Sequence, residues 1–220
     1  ARAPTPKHIA ERPSASKPLG QVSVDTIEYS IRSGETTQAL SGAKFASVFV
    51  DGASRFRFVV PMKRKSDSLL ALQKFIQQHG QPEEILCDWG TEYKGQFEDF
   101  CTKSRIRLRH SCTYRAYMNG LVERSNRVLK TVARAILIDA NLPPAFWAHA
   151  LMTAAHIVNR TAGRHGPTPL ELFNGTVPDV SHLRVFGSPC FAYIEKDLRR
   201  PAEHSQKAEP CTFIGYDDSS

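Results

Sequence analysis

Three short strand-like runs precede any helical pattern, and that order limits the folds open to this chain more than any other feature. Residues 21–29 alternate apolar and polar side chains through Val22, Val24 and Ile27, the period of a half-buried strand, and they carry Asp25. Residues 45–50 are apolar enough for a buried strand, Asp51-Gly52-Ala53-Ser54 has turn chemistry, and residues 56–61 return as a third strand. Strands in direct succession predict an antiparallel meander. Residues 30–44 are polar, with Gly34 and Gly42, and read as a long loop or hairpin tip. Helix enters only at Ser66-Asp67, where Leu69, Leu72, Phe75 and Ile76 recur at helical spacing until Gly80 and Pro82 stop it.

From there the chain alternates. Ile85-Leu86-Cys87 predicts a short strand that delivers Asp88 into a Trp89-Gly90 turn, and a brief helix then holds Phe97 and Phe100. Residues 105–109 alternate Arg with Ile and Leu, as a strand with one basic face would. Arg105, Arg107, Arg109 and the run Lys63-Arg64-Lys65 read as plain surface. Residues 110–118 show no pattern. The helix beginning near Asn119 is the clearest in the chain, with Leu121, Val128, Val132 and Ile136 on one side and Glu123, Arg127, Lys130 and Arg134 on the other. At about 100° per residue the second set spans only about 60° of arc. Pro143-Pro144 breaks this helix, and residues 145–159 predict a more buried one around Phe146, Trp147 and Leu151. A short helix is expected at 168–173. From His182 onward the pattern turns β, at 183–186, 190–194 and 211–214. Pro4, Pro6, Pro13 and Pro18 among Lys, Arg and Ser make residues 1–19 a linker.

Lysines and arginines number 29 against 22 acids, a net charge of +7 that favours a polyanionic partner. No apolar run approaches the roughly 20 residues that span a bilayer, and no basic-then-apolar signal segment opens the chain. The first residue is Ala, so a piece of a longer polypeptide is expected. The five cysteines include no Cys-x-x-Cys pair, which argues against a disulfide framework or zinc knuckle and suits a reducing compartment.

An acid after a strand (Asp88) and another at a helix start (Glu123) matter together if a third joins them. Cleaving or joining phosphodiesters needs both the attacking and the leaving oxygen stabilised, which two magnesium ions about 3.5–4 Å apart achieve when carboxylates hold them. Spacing alone leaves a plainer reading open, in which Glu123 pairs with Arg127 one turn on.

The residues around these acids carry a resemblance. Asp88-Trp89-Gly90-Thr91-Glu92-Tyr93 and Asn119-Gly120-Leu121-Val122-Glu123-Arg124-Ser125-Asn126-Arg127 resemble two motifs of retrotransposon integrases. Phe49 to Arg55, Leu142 to Trp147 and Asn159-Arg160-Thr161 match further motifs in order. Thr168 to Phe173, Pro178 to Gly187 and Phe213-Ile214-Gly215-Tyr216 look specifically like the copia type of LTR retrotransposon. The resemblance covers nearly everything after residue 19. It implies an RNase H-like α/β core at 20–162, a mixed five-stranded sheet with its first three strands antiparallel and helices flanking it. A C-terminal extension at 163–220, with a small β-barrel-like segment, would follow. The implied function is the integrase region of a polyprotein, trimming the element's 3′ ends and joining them to target DNA with Mg²⁺ or Mn²⁺, two ions. Asp25, Asp88 and Glu123 would be the catalytic and metal-binding acids. Asp51 competes for the first place, although its hairpin turn already accounts for it. Arg127, Lys130 and Arg134 would contact DNA phosphates, and Tyr117 and Asn119 would also be DNA-binding. A homo-oligomer on DNA and nuclear localisation are also implied.

The chain departs from the family in several places. Thr26-Ile27-Glu28 follows Asp25 where Gly-Pro is usual, Trp89 replaces Asn, and the spacing from Asp88 to Glu123 is one residue short. Ala116-Tyr117-Met118 stands where Pro-Gln-Gln is expected. The last change motivates an alternative: a decayed or domesticated integrase that only binds nucleic acid.

Overall fold

The computed structural model describes residues 15–32, 35–111, 120–163, 166–195 and 207–216. A five-stranded sheet forms its centre: β1 (Val22–Glu28), β4 (Phe45–Asp51), β5 (Arg57–Met62), β6 (Glu84–Cys87) and β7 (Arg107–His110). The spatial order is β5-β4-β1-β6-β7. β1 and β5 both run antiparallel to β4, while β6 is parallel to β1 and β7 is parallel to β6. The predicted meander and mixed sheet are therefore present. Between β1 and β4, where the sequence read as a hairpin tip, β2 (Ser30–Arg32) and β3 (Glu35–Thr36) form a two-stranded ribbon.

Alternation along the strands divides the core into two layers. Val22 and Val24 of β1 join Phe49, Phe58, Ile85 and Cys87 against α1 (Ser68–His79) and α2 (Gln96–Lys103). Ile27, one register step away, joins Val48, Val50 and Val59 against α3 (Gly120–Asp139) and α4 (Trp147–Arg160). Asp25 has the parity of Ile27, so it belongs to the α3 side of the sheet.

The buried stripe of α3 differs from the predicted one. Val122, Leu129, Ala133 and Leu137 are buried with Ser125 and Asn126, whereas Val128 is exposed and Leu121, Val132 and Ile136 only partly covered. The helix is rolled toward its charged side, which brings Asn126 against the sheet and leaves Glu123 and Lys130 exposed on the flank beside it. Charge pattern could not reveal this, because Asn126 fills a core position.

α4 starts where Pro143-Pro144 predicts a stop and restart, and its Trp147 is fully buried, stacked on Tyr29 at 5.1 Å with its indole N–H donating to the Thr37 carbonyl at 2.8 Å. Beyond it, α5 (Pro169–Asn174) opens with a capping box between Thr168 and Glu171. Phe173 of α5 stacks on Phe56 at 4.4 Å. Residues 183–186 do not form the predicted strand. Phe186 is instead buried against the α3–α4 layer, so its apolar character serves docking. The described β structure of the extension is one hairpin-like pair, β8 (Pro189–Tyr193) with β9 (Ala208–Thr212). Two separated motifs meet here: the Tyr216 hydroxyl accepts from the Arg184 N–H at 2.7 Å, and its ring stacks on His156 of α4 at 3.9 Å. Gly187 and Gly215 have φ of +83° and +131°, and a Cβ on either would collide with Ala140 or Thr153, so the motif glycines permit this close docking.

Candidate active site

β1 presents Asp25 near the middle of the sheet, and β6 ends one residue before Asp88 on the adjacent parallel strand. The two carboxylates are close enough to repel. Burial chiefly, and then the charge of Asp88, push the Asp25 carboxyl up to about 6 from its ordinary 3.8, while hydrogen bonds from Thr26 and Asn126 and the charge of Lys130 pull it back. The Asn126 amide donates to Asp25 Oδ2 at 2.7 Å, a tether between α3 and β1. Glu123 lies one turn before Asn126 and about 60° around the helix, Lys130 one turn after it. Both are exposed.

Asp88 is held by its own turn. Its Oδ1 accepts from the Gly90 N–H at 2.9 Å, and its carbonyl sits 2.9 Å from His110 Nδ1 on β7. A Cβ placed on Gly90 would lie 2.9 Å from Asp88 Oδ1 and 2.6 Å from Glu92 Oε2, so Glu92 is a second carboxylate beside Asp88. Beneath the site the buried Tyr93 hydroxyl lies 3.0 Å from Thr26 Oγ1, and burial pushes that phenol well above its usual range.

The oxygen-only donor set of Asp25 and Asp88 suits magnesium. The ion pairs Lys17–Glu83, Arg107–Glu84 and Arg109–Glu84 among the described residues involve neither Asp25 nor Asp88. The charge of one carboxylate pressing on a partly buried second is what a divalent cation relieves. Among the described residues no three His, Cys, Asp or Glu side chains already converge as a ligand group. Asp51 is otherwise engaged. It is 2% exposed, its Oδ1 accepts from Leu19 N–H at 2.8 Å, and its Oδ2 accepts from Ala53 N–H, Ser54 N–H and Ser54 Oγ–H at 3.1, 2.7 and 2.7 Å. The turn reading of Asp51 matches this geometry.

Of the predicted DNA contacts, Arg127, Lys130 and Arg134 are exposed along one flank of α3, and Arg134 lies near Tyr29. Tyr117 and Asn119 lie outside the described residues, as does the Ala116-Tyr117-Met118 departure. Arg107 and Arg109 are not merely surface: they bridge Glu84, whose side chain is 8% exposed, at 3.4 and 3.1 Å. Sequence reasoning gave Glu92 no metal role although it fits the motif, and assigned no role to Asn126 or His110. The Glu-Arg-x-Asn spacing that puts Asn126 one turn after Glu123 was the available signal for that residue.

A five-stranded mixed sheet of this order, with one acid on its first strand, another just past its fourth and a third on the helix packed over them, is the RNase H-like fold of integrase catalytic cores. The integrase core domain family matches residues 15–116. The chain is 32% identical over 189 residues to the retrovirus-related Pol polyprotein from transposon TNT 1-94 of Nicotiana tabacum, covering 82% of this chain and 14% of that protein. It is 26% identical over 216 residues to the Pol polyprotein from transposon RE2 of Arabidopsis thaliana, with 92% and 14% covered. Among solved structures, the HTLV-2 integrase catalytic core domain in complex with magnesium aligns with a TM-score of 0.56 and 25% identity over 71% of this chain and 97% of that one. A chain of the simian T-cell lymphotropic virus intasome gives 0.61 at 22% identity over 89% and 69%. The chain carries an integrase core domain and belongs with the integrase regions of retrovirus-related Pol polyproteins. It spans about one seventh of the length of these plant relatives.

Proposed function

We propose that this chain is the integrase region of a copia-type retrotransposon polyprotein, with a catalytic core at 20–162, a docking extension at 163–220 and a linker at 1–19. It catalyses divalent-metal-dependent trimming of the element's 3′ ends and their transfer into target DNA. The observation that carries the reading is the placement of Asp25 and Asp88 on adjacent strands, close enough for the Asp88 charge to act on the half-buried Asp25 carboxyl, with α3 tethered to Asp25 through Asn126. The copia assignment is supported by the joined Arg184 and Tyr216 motifs and by the plant transposon relatives.

Asp25, Asp88 and Glu123 would hold two Mg²⁺ or Mn²⁺ ions. Bound there, such ions make a nucleophile from water or a 3′ hydroxyl at neutral pH and stabilise the leaving oxygen. The protein's own work is positional. Asn126 orients the Asp25 carboxylate, the Gly90 N–H fixes that of Asp88, and Tyr93 supports β1 from below through Thr26. Lys130, Arg127 and Arg134 run away from Glu123 along α3 and would seat the phosphates of the bound DNA end, holding register without reading bases. Oligomerisation on the two ends of an element and action in the nucleus belong to the same proposal.

Purified protein incubated with a labelled duplex end and Mg²⁺ or Mn²⁺ tests it. Shortened 3′ ends and joined products from wild type, absent from Asp88→Asn, are expected. The exposure of Glu123 motivates one rival, a protein that binds DNA without chemistry. Salt-dependent binding with no product in either metal would establish the rival and overturn the proposal.

A further inference from the structure

Trp89 is 57% exposed, although it is one of only two tryptophans in the chain and the other is fully buried. It is nevertheless rigidly held. One face of the indole stacks on the His110 ring, with centroids 4.4 Å apart and 19° between planes. The indole N–H donates to the Ser111 carbonyl at 2.9 Å. His110 is itself anchored, with Nδ1 2.9 Å from the Asp88 carbonyl and 3.4 Å from Cys87 Sγ. Because the imidazole covers one face, the 57% exposure leaves the opposite face and the rim as the open area among the described residues. This arrangement buries little apolar surface and so adds little to the core, yet it fixes a flat aromatic surface next to an acid of the site.

We propose that the free face of Trp89 is a nucleobase-stacking platform that takes one base of the DNA strand whose phosphate lies at Asp88. The inference rests on reading this site as a DNA site. Adjacent Cα atoms are about 3.8 Å apart, so the platform begins within about one nucleotide of the carboxylate. Stacking on an aromatic tolerates any base, and the base must leave its duplex stack, which costs least at an unpaired or frayed position. The platform therefore selects DNA ends with unpaired terminal bases over fully paired ones. Asn, the residue usual here in related integrases, offers no such surface.

The test is equilibrium binding of a duplex with an unpaired end, in metal-free buffer so that no turnover occurs. An abasic nucleotide is moved through the terminal positions one at a time. Trp89→Ala and Trp89→Asn should weaken binding by about 5- to 150-fold, and Trp89→Phe should retain most of the affinity. One abasic position should reproduce the loss in wild type and add nothing in Trp89→Ala, with the salt slope unchanged because no phosphate contact is lost. A wild type indifferent to abasic substitution at every position, or losses that add, would overturn the platform. If Trp89→Ala proves unstable, the abasic series on wild type and Trp89→Phe decides alone. Failure to join ends in Mg²⁺ with an intact abasic effect would refute strand transfer and leave the platform standing. Joining without any abasic effect would do the reverse.

Discussion

Replacing Asp25 with Asn should make this protein more stable at neutral pH and leave it no more stable in acid. The Asp25 carboxyl titrates near 6 in the fold and at 3.8 in an unconstrained chain. Between those values the folded state keeps a proton that the unfolded state has lost, so stability falls as pH rises through the window. Above about pH 6 the full penalty of a buried, Asp88-repelled charge is present. At 1.36 kcal/mol per pH unit, the rise from 3.8 to about 6 corresponds to about 3 kcal/mol. Asn has the shape of Asp without the charge, and its carbonyl oxygen can still accept from Asn126. For a protein of this size the gain should raise the melting temperature by roughly 6–12 °C at pH 7.5.

Urea and thermal unfolding of wild type and Asp25→Asn at pH 7.5 and pH 4 measure this directly. The gain should be present at the first pH and nearly gone at the second. Equal stability at pH 7.5, or a gain of the same size at pH 4, would refute the electrostatic reasoning. Magnesium adds a second arm. A cation held at 100 times its Kd stabilises by about 2.7 kcal/mol, so saturating Mg²⁺ should narrow the gap by rescuing wild type alone. A gap that Mg²⁺ does not narrow would remove Asp25 from the ligands.

Three further outcomes follow from the same geometry. Gly90→Ala should cut joining at least about 10-fold, because its Cβ would push aside Asp88 Oδ1 and Glu92 Oε2; unfolding curves matching wild type would place the damage in the site. Asp51→Ala should cost about 3 kcal/mol or more in urea unfolding, since four donors to a buried carboxylate lose their acceptor. Normal stability with a lost Mg²⁺ response would instead make Asp51 the first acid. Lys130→Ala and Arg134→Ala should each lower the salt slope of DNA binding by about 1, without changing preference among sequences; an unchanged slope would take either side chain off the phosphates.

Much of the fold was legible because its signals are local. Alternation gave β1, an apolar run and the turn after it gave β4 and β5, helical spacing gave α1, and paired prolines set the break before Trp147. The elements missed were those that tertiary contact decides. Residues 183–186 have strand-like composition, but Phe186 is buried in the α3–α4 layer and the segment pairs in no sheet among the described residues. Arg107 and Arg109 alternate like a solvated face, yet Glu84, buried across the strand pair, makes them its partners.

The stretch from Asp88 to Lys130 shows the division most clearly. Sequence by itself determined which residues could do chemistry there: an acid leaving a strand, an acid opening a helix and a basic flank beyond it. It also set the spacing that puts Glu123, Asn126 and Lys130 on neighbouring turns. Only the tertiary structure decided that β1 lies beside β6, bringing Asp25 within reach of the Asp88 charge across 63 residues of chain. Only packing rolled α3 so that Asn126 meets Asp25 and Val128 faces out. The physical reason is that periodicity records which side chains avoid water, whereas the pairing of distant charges and the roll of a helix depend on the surface each element meets.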